Sequence, residues 1–569
     1  MRAARAGARH PPPARDDSRP SSEGPATTGP TPWDAIVIGG GHNGLVTAAL
    51  LARGGLRTVV LEARDRVGGA VGTAEIAPGV RVPTLAHTVG RLRPSVARTL
   101  GLRGLGLSLV APAVRAVALE PDRQPVTLWA DSNRTADELR RRSPHDAIAW
   151  LETDDRVRAF GRVLAELART TPPDLRDPSV LDALGGLRLS RAFRALGRHD
   201  AQQLLRALPM AVADLASDAF SDESLRAIVA ARGVQYTAMG PRSAGTSAVL
   251  LTDAAGNDGG LAGQTVFARG GPGALADALA AAVRAAGGSI RTGARVVRIT
   301  SNDDIVTGVV LDDGQELRTP IVVSGLDPKR TLVDLVDPVA LGPSLRWRAS
   351  NIRTPGMVAK VNFALRELPR FTGIADPEMR LRGRILLTPG LTGIDRAHDA
   401  AKYGDLPATP VLEATIPTLV DPGLIDDAAR AGSHGGPATH HVLSVLVQYA
   451  PFQLRDGDWD ARRDALDATV TRTIEGFAPG LGDLVTAHHV ITPLDLEREY
   501  GMTGGHPMHA EPGLDAWFAW RPLLGHARYR MPLRGLYLCG SGAHPGGGVT
   551  GGPGENAARE ILADSRGRR

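Results

Sequence analysis

A single cysteine, Cys539, in 569 residues excludes an intrachain disulfide, a Cys-x-x-Cys redox pair and any cysteine-rich metal site. Redox chemistry in such a chain belongs to a bound cofactor, and no metal is expected. Aromatic residues are scarce, at 4%, and the formal net charge is only +5. A nucleic-acid surface needs a basic face interleaved with stacking aromatics, so nucleic acid is not an expected partner. No apolar run reaches the roughly 18 residues that a membrane-crossing helix requires. Residues 1–32, rich in Arg, Pro, Ser and Gly, also lack the apolar stretch of a secretory signal. They read as a disordered tail, with an arginine-rich transit peptide as the alternative. The Ala-, Arg-, Gly- and Pro-rich composition is that of a GC-rich bacterial coding sequence and points to the cytoplasm, with peripheral membrane contact left open.

What is present begins at Asp34. Ala35 to Ile38 is a short apolar run, as expected of a strand buried on both faces of a parallel sheet. It runs into Gly39-x-Gly41-x-x-Gly44. Gly39 makes a tight turn, Gly41 lets a pyrophosphate approach the backbone, and Gly44 lets the next helix pack closely on the strand. Leu45, Ala48, Ala49 and Ala52 repeat at helical spacing, Gly54-Gly55 stops the helix, and a second strand, Thr58 to Leu61, delivers Glu62. A carboxylate there meets the ribose hydroxyls of an adenine dinucleotide and repels a 2'-phosphate, which leaves FAD or NAD(H). The next stretch, Arg64 to Gly69, adds the glycine pair Gly68-Gly69, where backbone amides again come within reach of a pyrophosphate. This doublet resembles that of flavoproteins holding FAD extended through the domain.

Further along, Ala116 to Leu119 and Pro125 to Trp129 read as an antiparallel pair across the turn Pro121-Asp122-Arg123. Ser143-Pro144 opens a helix, serine as N-cap and proline at the first position, that ends before Pro172-Pro173. Helices continue to about residue 232, with Asp222 as a cap and breaks at Pro209 and Gly233. The Leu and Ala stripes of the block 143–240 read first as helical core, with the wall of an apolar cavity as the alternative. Ala274 to Ala286 is a helix, followed by strands at Ile290, Val296–Ile299, Val306–Leu311 and Ile321–Ser324, with Asp313-Gly314 as a hairpin turn. Met357 to Leu365 and Val442 to Tyr449 read as strands, Trp459 to Phe477 as a helix capped by Asp458, and 369–437 shows only short strand-like runs. Leu536 to Cys539 is a buried strand ending at Gly540, and a helix beginning near Pro553 points its amides back at that loop. Such an N-terminus stabilises negative charge, including that of a reduced flavin.

The pair V-I-G-G-G-H-N-G-L and L-Y-L-C-G-S-G-A-H-P-G-G-G-V resembles the phytoene-desaturase-related FAD oxidoreductases. Within them, the branch carrying the name pyridine nucleotide-disulfide oxidoreductase domain-containing protein 2 is most similar, and G-P-R-S-A-G-T-S-A-V-L-L and A-K-V-N-F-A-L also match it. The resemblance spans about residues 33–563. The tail before Trp33 has no counterpart, and the disulfide chemistry in the branch's name is absent here.

The resemblance implies an α/β fold, a Rossmann-like FAD-binding domain of the glutathione reductase/amine oxidase type with a discontinuous α+β substrate domain. The expected parts are FAD-binding segments at 33–110, 266–335 and 526–569 and substrate segments at 111–265 and 336–525. It implies FAD lined by Gly39, Gly41, Gly44, Glu62, Arg64, Gly68, Gly69, Val297, Gly540, Val549 and Thr550. The implied reaction moves hydride from a C–H bond of a largely apolar substrate to flavin N5, and oxygen or a quinone then reoxidises the flavin. An amine oxidase, a reduced-flavin isomerase and a flavin-bound partner-binding protein without turnover are the alternatives. No catalytic residue is fixed; His42, His87 and His544, with His506 and His509, are the histidines expected near the flavin. No cluster suited to a charged substrate is legible.

Overall fold

The computed structural model describes residues 33–567, apart from 121–122, 176–179, 257 and 434. The expected disordered tail and part of the Pro121-Asp122-Arg123 turn lie outside the described residues.

Ala35–Ile38 is buried at every position, and it sits in the middle of a five-stranded parallel sheet. The strand order is Leu536–Leu538, Val322–Ser324, Ala35–Ile38, Thr58–Leu61, Ser289–Arg291. Three distant stretches of chain therefore build one sheet. The helices His42–Arg53, Gly273–Ala285 and Gly552–Gly567 pack side by side over it. Small residues set their spacing: a Cβ on Gly54 would stand 2.3 Å from Leu562 Cδ2. An antiparallel meander, Val296–Asn302, Ile305–Leu311 and Glu316–Arg318, follows the Ser289–Arg291 strand, and Gly314 turns its second hairpin at φ +83°.

A second sheet of seven strands has the order Val485–Ile491, Val358–Leu365, His441–Gln448, Val411–Thr415, Arg384–Leu387, Val114–Leu119, Val126–Trp129. All its pairings are antiparallel except the one between Arg384–Leu387 and Val114–Leu119. Alternate residues of its strands serve two cores, because side chains in a strand point to opposite faces. Ala116, Ala118 and Leu386 join the helical block, whereas Val117, Leu119, Ile385 and Leu387 meet Phe363 and the helix Trp459–Glu475. Strands covered on both faces read as largely apolar runs, here interrupted by Arg115, Lys360, Asn362, Arg384 and Glu413. In the helical core Trp150 is buried against Phe220, with ring centroids 6.3 Å apart, a burial worth roughly 2–3 kcal/mol for each large side chain.

The helical block differs from expectation in two places. It starts at Ser132–Arg140, before Ser143, capped by the Asp131 carboxylate accepting from Asn133 N–H. That helix is polar and buries only Thr135, Ala136 and Leu139, too few to show a periodic apolar face. Gly233 does not break a helix; it lies inside Glu223–Val234, where a Cβ would come within 2.6 Å of Val212 Cγ2, so the glycine admits the neighbouring helix. The expected caps are present: Ser143 Oγ accepts from Asp146 N–H, and the Asp222 carboxylate accepts from Ser224 and Leu225 N–H. Residues 369–437 hold two strands, Arg384–Leu387 and Val411–Thr415, and a helix, Gly390–Lys402.

Candidate functional site: a cleft between the two sheets

A cleft with about 1900 Å³ of atom-free space, its open mouth included, runs from the Gly39 turn to the second sheet and the helical block. Gly39 takes φ +92°, a conformation suited to glycine. A Cβ on Gly44 would stand 2.2 Å from Gly39 O, so only hydrogen lets the helix start against the turn. Gly41 is different. Its backbone is extended, and among the described residues no atom beyond its chain neighbours lies within 4 Å of where a Cβ would be. The space beside it belongs to the cleft. The helix His42–Arg53 has no side-chain cap and no acid in its first turn, which leaves its opening N–H groups for an anion.

Glu62 lines the same end. Its Oε2 accepts from Gly40 N–H at 2.7 Å and its Oε1 from Arg64 N–H at 2.9 Å, so the carboxylate is fixed with lone pairs still free for hydroxyl donors. Gly69, at φ +57°, faces Gly41 closely: its Cβ would be 3.3 Å from Gly41 Cα. Arg64 lies 4.4 Å over the Tyr500 ring. Opposite, Ser541, Gly548 and Val549 line the cleft, and the Asn43 Oδ1 at its edge is buried without a hydrogen-bond partner. A turn without side chains, an uncapped helix, a fixed ribose acid and an orphaned amide oxygen fit FAD.

Of the residues expected to line FAD, Gly39, Gly41, Gly44, Glu62, Arg64, Gly69 and Val549 do face the cleft. Four stand outside its lining. Val297 is 43% exposed: the register against Ile305–Leu311 shifts between Val296 and Arg298, and this bulge leaves Val297 outside while Val296 points inward. Gly68 braces the turn behind Gly69, donating N–H to Gly40 O. Gly540 packs on the sheet, its Cβ position 2.5 Å from Gly325 O, and Thr550 Oγ1 accepts from Gly552 N–H.

The absence of a charged cluster is overturned. The wall built by the second sheet and the helical block presents Arg232, Gln235, Tyr236, Asp253 and Glu413 to the cleft, together with His87 and Arg91. His87 Nε2 lies 3.1 Å from Glu413 Oε1 and His87 Nδ1 3.0 Å from Lys360 Nζ, an arrangement in which Nε2–H donates to Glu413 and Nδ1 accepts from Lys360. Burial, with Lys360 next, lowers His87 to about 4, so the ring is neutral at ordinary pH. Burial also lowers Lys360 to about 7. Burial would raise Glu413, but Arg384, His87 and Arg232 hold it well below the usual carboxylate range. Tyr236 sits among these groups at φ +64°, rare for a bulky side chain, and its N–H donates to Gln448 Oε1.

The other histidines divide. His42 lines the cleft with Nε2 3.2 Å from Gly548 O, and His509 lines it at φ +61°; burial lowers each to about 4. His544 does not reach it: Nε2 lies 3.1 Å from Leu167 O, and burial lowers the ring to about 3. His506 Nε2 lies 3.1 Å from Glu511 Oε2, also away from the cleft lining. The charged wall was missed because its members are scattered from residue 87 to 413. The usable signal was a charge inside an otherwise apolar strand, Lys360 in A-K-V-N-F-A-L and Glu413 in V-L-E-A-T.

The family model for flavin-containing amine oxidoreductases matches residues 44–392. A rat protein, pyridine nucleotide-disulfide oxidoreductase domain-containing protein 2, is 33% identical over 94% of both chains. A lycopene-forming phytoene desaturase from a Paracoccus species is 27% identical over 94% of this chain and 98% of its own. Among solved structures, cyclohexylamine oxidase from Brevibacterium oxydans superposes over 94% of this chain and 99% of its own, with TM-score 0.55 at 16% identity, a likeness of fold.

Proposed function

Because this chain belongs to the flavin-containing amine oxidoreductases and binds FAD, we propose that it is a dehydrogenase of the desaturase type, acting on a C–H bond of a largely apolar substrate. The observation that carries this reading is one cleft shared by the glycine turn and by the apolar side chains Leu85, Val249, Met502 and Met508. Similarity to the phytoene desaturase supports it. When bound, FAD supplies the hydride acceptor.

The protein's part is positioning and proton handling. The apolar side chains fix the substrate skeleton and exclude water from it. Dehydrogenation also releases a proton, and the chain Lys360–His87–Glu413 offers a place to hold one. Burial lowers Lys360 to about 7, His87 Nδ1 accepts from it and Nε2 faces Glu413, and His87 and Glu413 line the cleft. Oxygen or a quinone takes the electrons afterwards.

The test is anaerobic mixing of FAD-loaded protein with an apolar polyene and, separately, with a polyamine. The polyene is expected to bleach the flavin and the polyamine to leave it oxidised. Bleaching by the polyamine alone assigns the chain to the amine oxidases. No bleaching by any candidate supports a flavin-bound protein without turnover.

A further inference from the structure

The charged wall carries more positive than negative charge. Three guanidiniums, Arg91, Arg232 and Arg384, act on two carboxylates, Asp253 and Glu413. Asp253 is paired with Arg232, and Arg91 Nε stands 3.4 Å from its Oδ1. Glu413 takes Arg384 at 3.2 Å, Arg232 at 3.4 Å, Gln235 Nε2 at 2.8 Å and His87 at 3.1 Å. Neither acid serves one arginine alone.

Arg384 turns to the backbone of Ala262 and the hydroxyl of Thr265. Arg91 and Arg232 line the cleft. Arg91 donates to Thr252 O and Gly547 O, and its Nε stands beside Asp253 without a hydrogen bond. Arg232 donates to Gln235 Oε1, Asp253 and Glu413, and its Nε is buried without a hydrogen-bond partner. An unbalanced cation in a poorly solvated wall is unfavourable until an anion joins it. The phosphates of the dinucleotide are met elsewhere, at the Gly41 turn and the start of the His42–Arg53 helix. Leu85, Val249, Met502 and Met508 supply the apolar part of the same cleft.

Building on the dehydrogenase reading, we infer that the substrate is an amphiphilic monoanion: an apolar skeleton ending in a carboxylate held by Arg91 and Arg232. Two donors on planar guanidiniums suit a carboxylate, which takes parallel hydrogen bonds from them. A neutral head would leave the surplus charge uncompensated, and an ammonium would add to it.

The experiment titrates FAD-loaded protein, under anaerobic conditions, with decanoate, decanol and decylamine. Binding is read by the flavin difference spectrum and by calorimetry. Decanoate is expected to bind at least about tenfold more tightly than decanol, and decylamine not at all. Arg91→Gln removes the surplus charge while Arg232 still pairs Asp253; it should weaken decanoate about tenfold or more at unchanged FAD content, and Arg91→Lys should restore most of that. The wild-type ligand series stands alone if Arg91→Gln does not fold. Decanol binding as tightly as decanoate, any preference for decylamine, or an Arg91→Gln protein with full decanoate affinity and an altered flavin potential would overturn the inference. Decanoate binding needs no turnover, so it survives if no apolar compound bleaches the flavin, a result that sinks the dehydrogenase reading instead. Bleaching by a neutral polyene with no decanoate binding does the reverse.

Discussion

Cys539 follows the strand Leu536–Leu538 with no exposure, and burial pushes its thiol up to about 12. The thiolate is the reactive form, so this sulfur is inert at neutral pH. Cys539→Ala is expected to keep its FAD and to reduce it within a few-fold of the wild-type rate, with a stability loss of about 1 kcal/mol. A hundredfold loss of flavin reduction at full FAD content, about 2.7 kcal/mol of barrier, would place the thiol in the chemistry. The single cysteine was legible from composition. Arg232, Asp253 and Glu413 were not, because a buried ion cluster is assembled by tertiary contacts and leaves no local spacing to read.

At the scale of elements, the first strand–turn–helix is held by one hydrogen atom, that on Gly44. With its Cβ position 2.2 Å from Gly39 O, Gly44→Ala must push helix His42–Arg53 off the strand, a backbone against backbone clash. Overpacking of this kind costs about 1–3 kcal/mol or more, and the thermal midpoint should fall together with FAD content. A Gly44→Ala protein with the wild-type midpoint and flavin would contradict the packing described. These elements were readable because propensity, period and turn chemistry agree there. The strands at 384–387 and 411–415 were obscured by the prolines around them, Pro377, Pro389 and Pro410. Val297 shows a finer limit: a register shift between Val296 and Arg298 resets which side chains face inward, and a motif gives the strand more securely than its bulges.

At the scale of the whole molecule, burial lowers the pKa of several of the described histidines. Burial lowers His42, His87 and His509 to about 4 and His544 to about 3. The unfolded chain protonates its imidazoles near 6.5, so between 6.5 and 4 unfolding takes up protons and stability falls as the pH falls. Each ring contributes up to about 1.4 kcal/mol per pH unit in that window. The thermal midpoint of the FAD-loaded protein should therefore drop clearly from pH 7 to pH 5, and a midpoint that holds or rises would show that these rings charge inside the fold.

The account turns on the cleft holding FAD against the Gly41 turn. Gly41 has extended backbone and open space where a side chain would go, so Gly41→Asp should fold as the wild type does while setting a carboxylate against the pyrophosphate. The measurement is flavin released by denaturant per chain, for wild type and Gly41→Asp, beside their circular-dichroism spectra. The expected result is about one FAD per wild-type chain and almost none in a folded Gly41→Asp protein. A wild-type chain that is colourless yet binds NAD(H), or a Gly41→Asp chain that keeps its FAD, would contradict it.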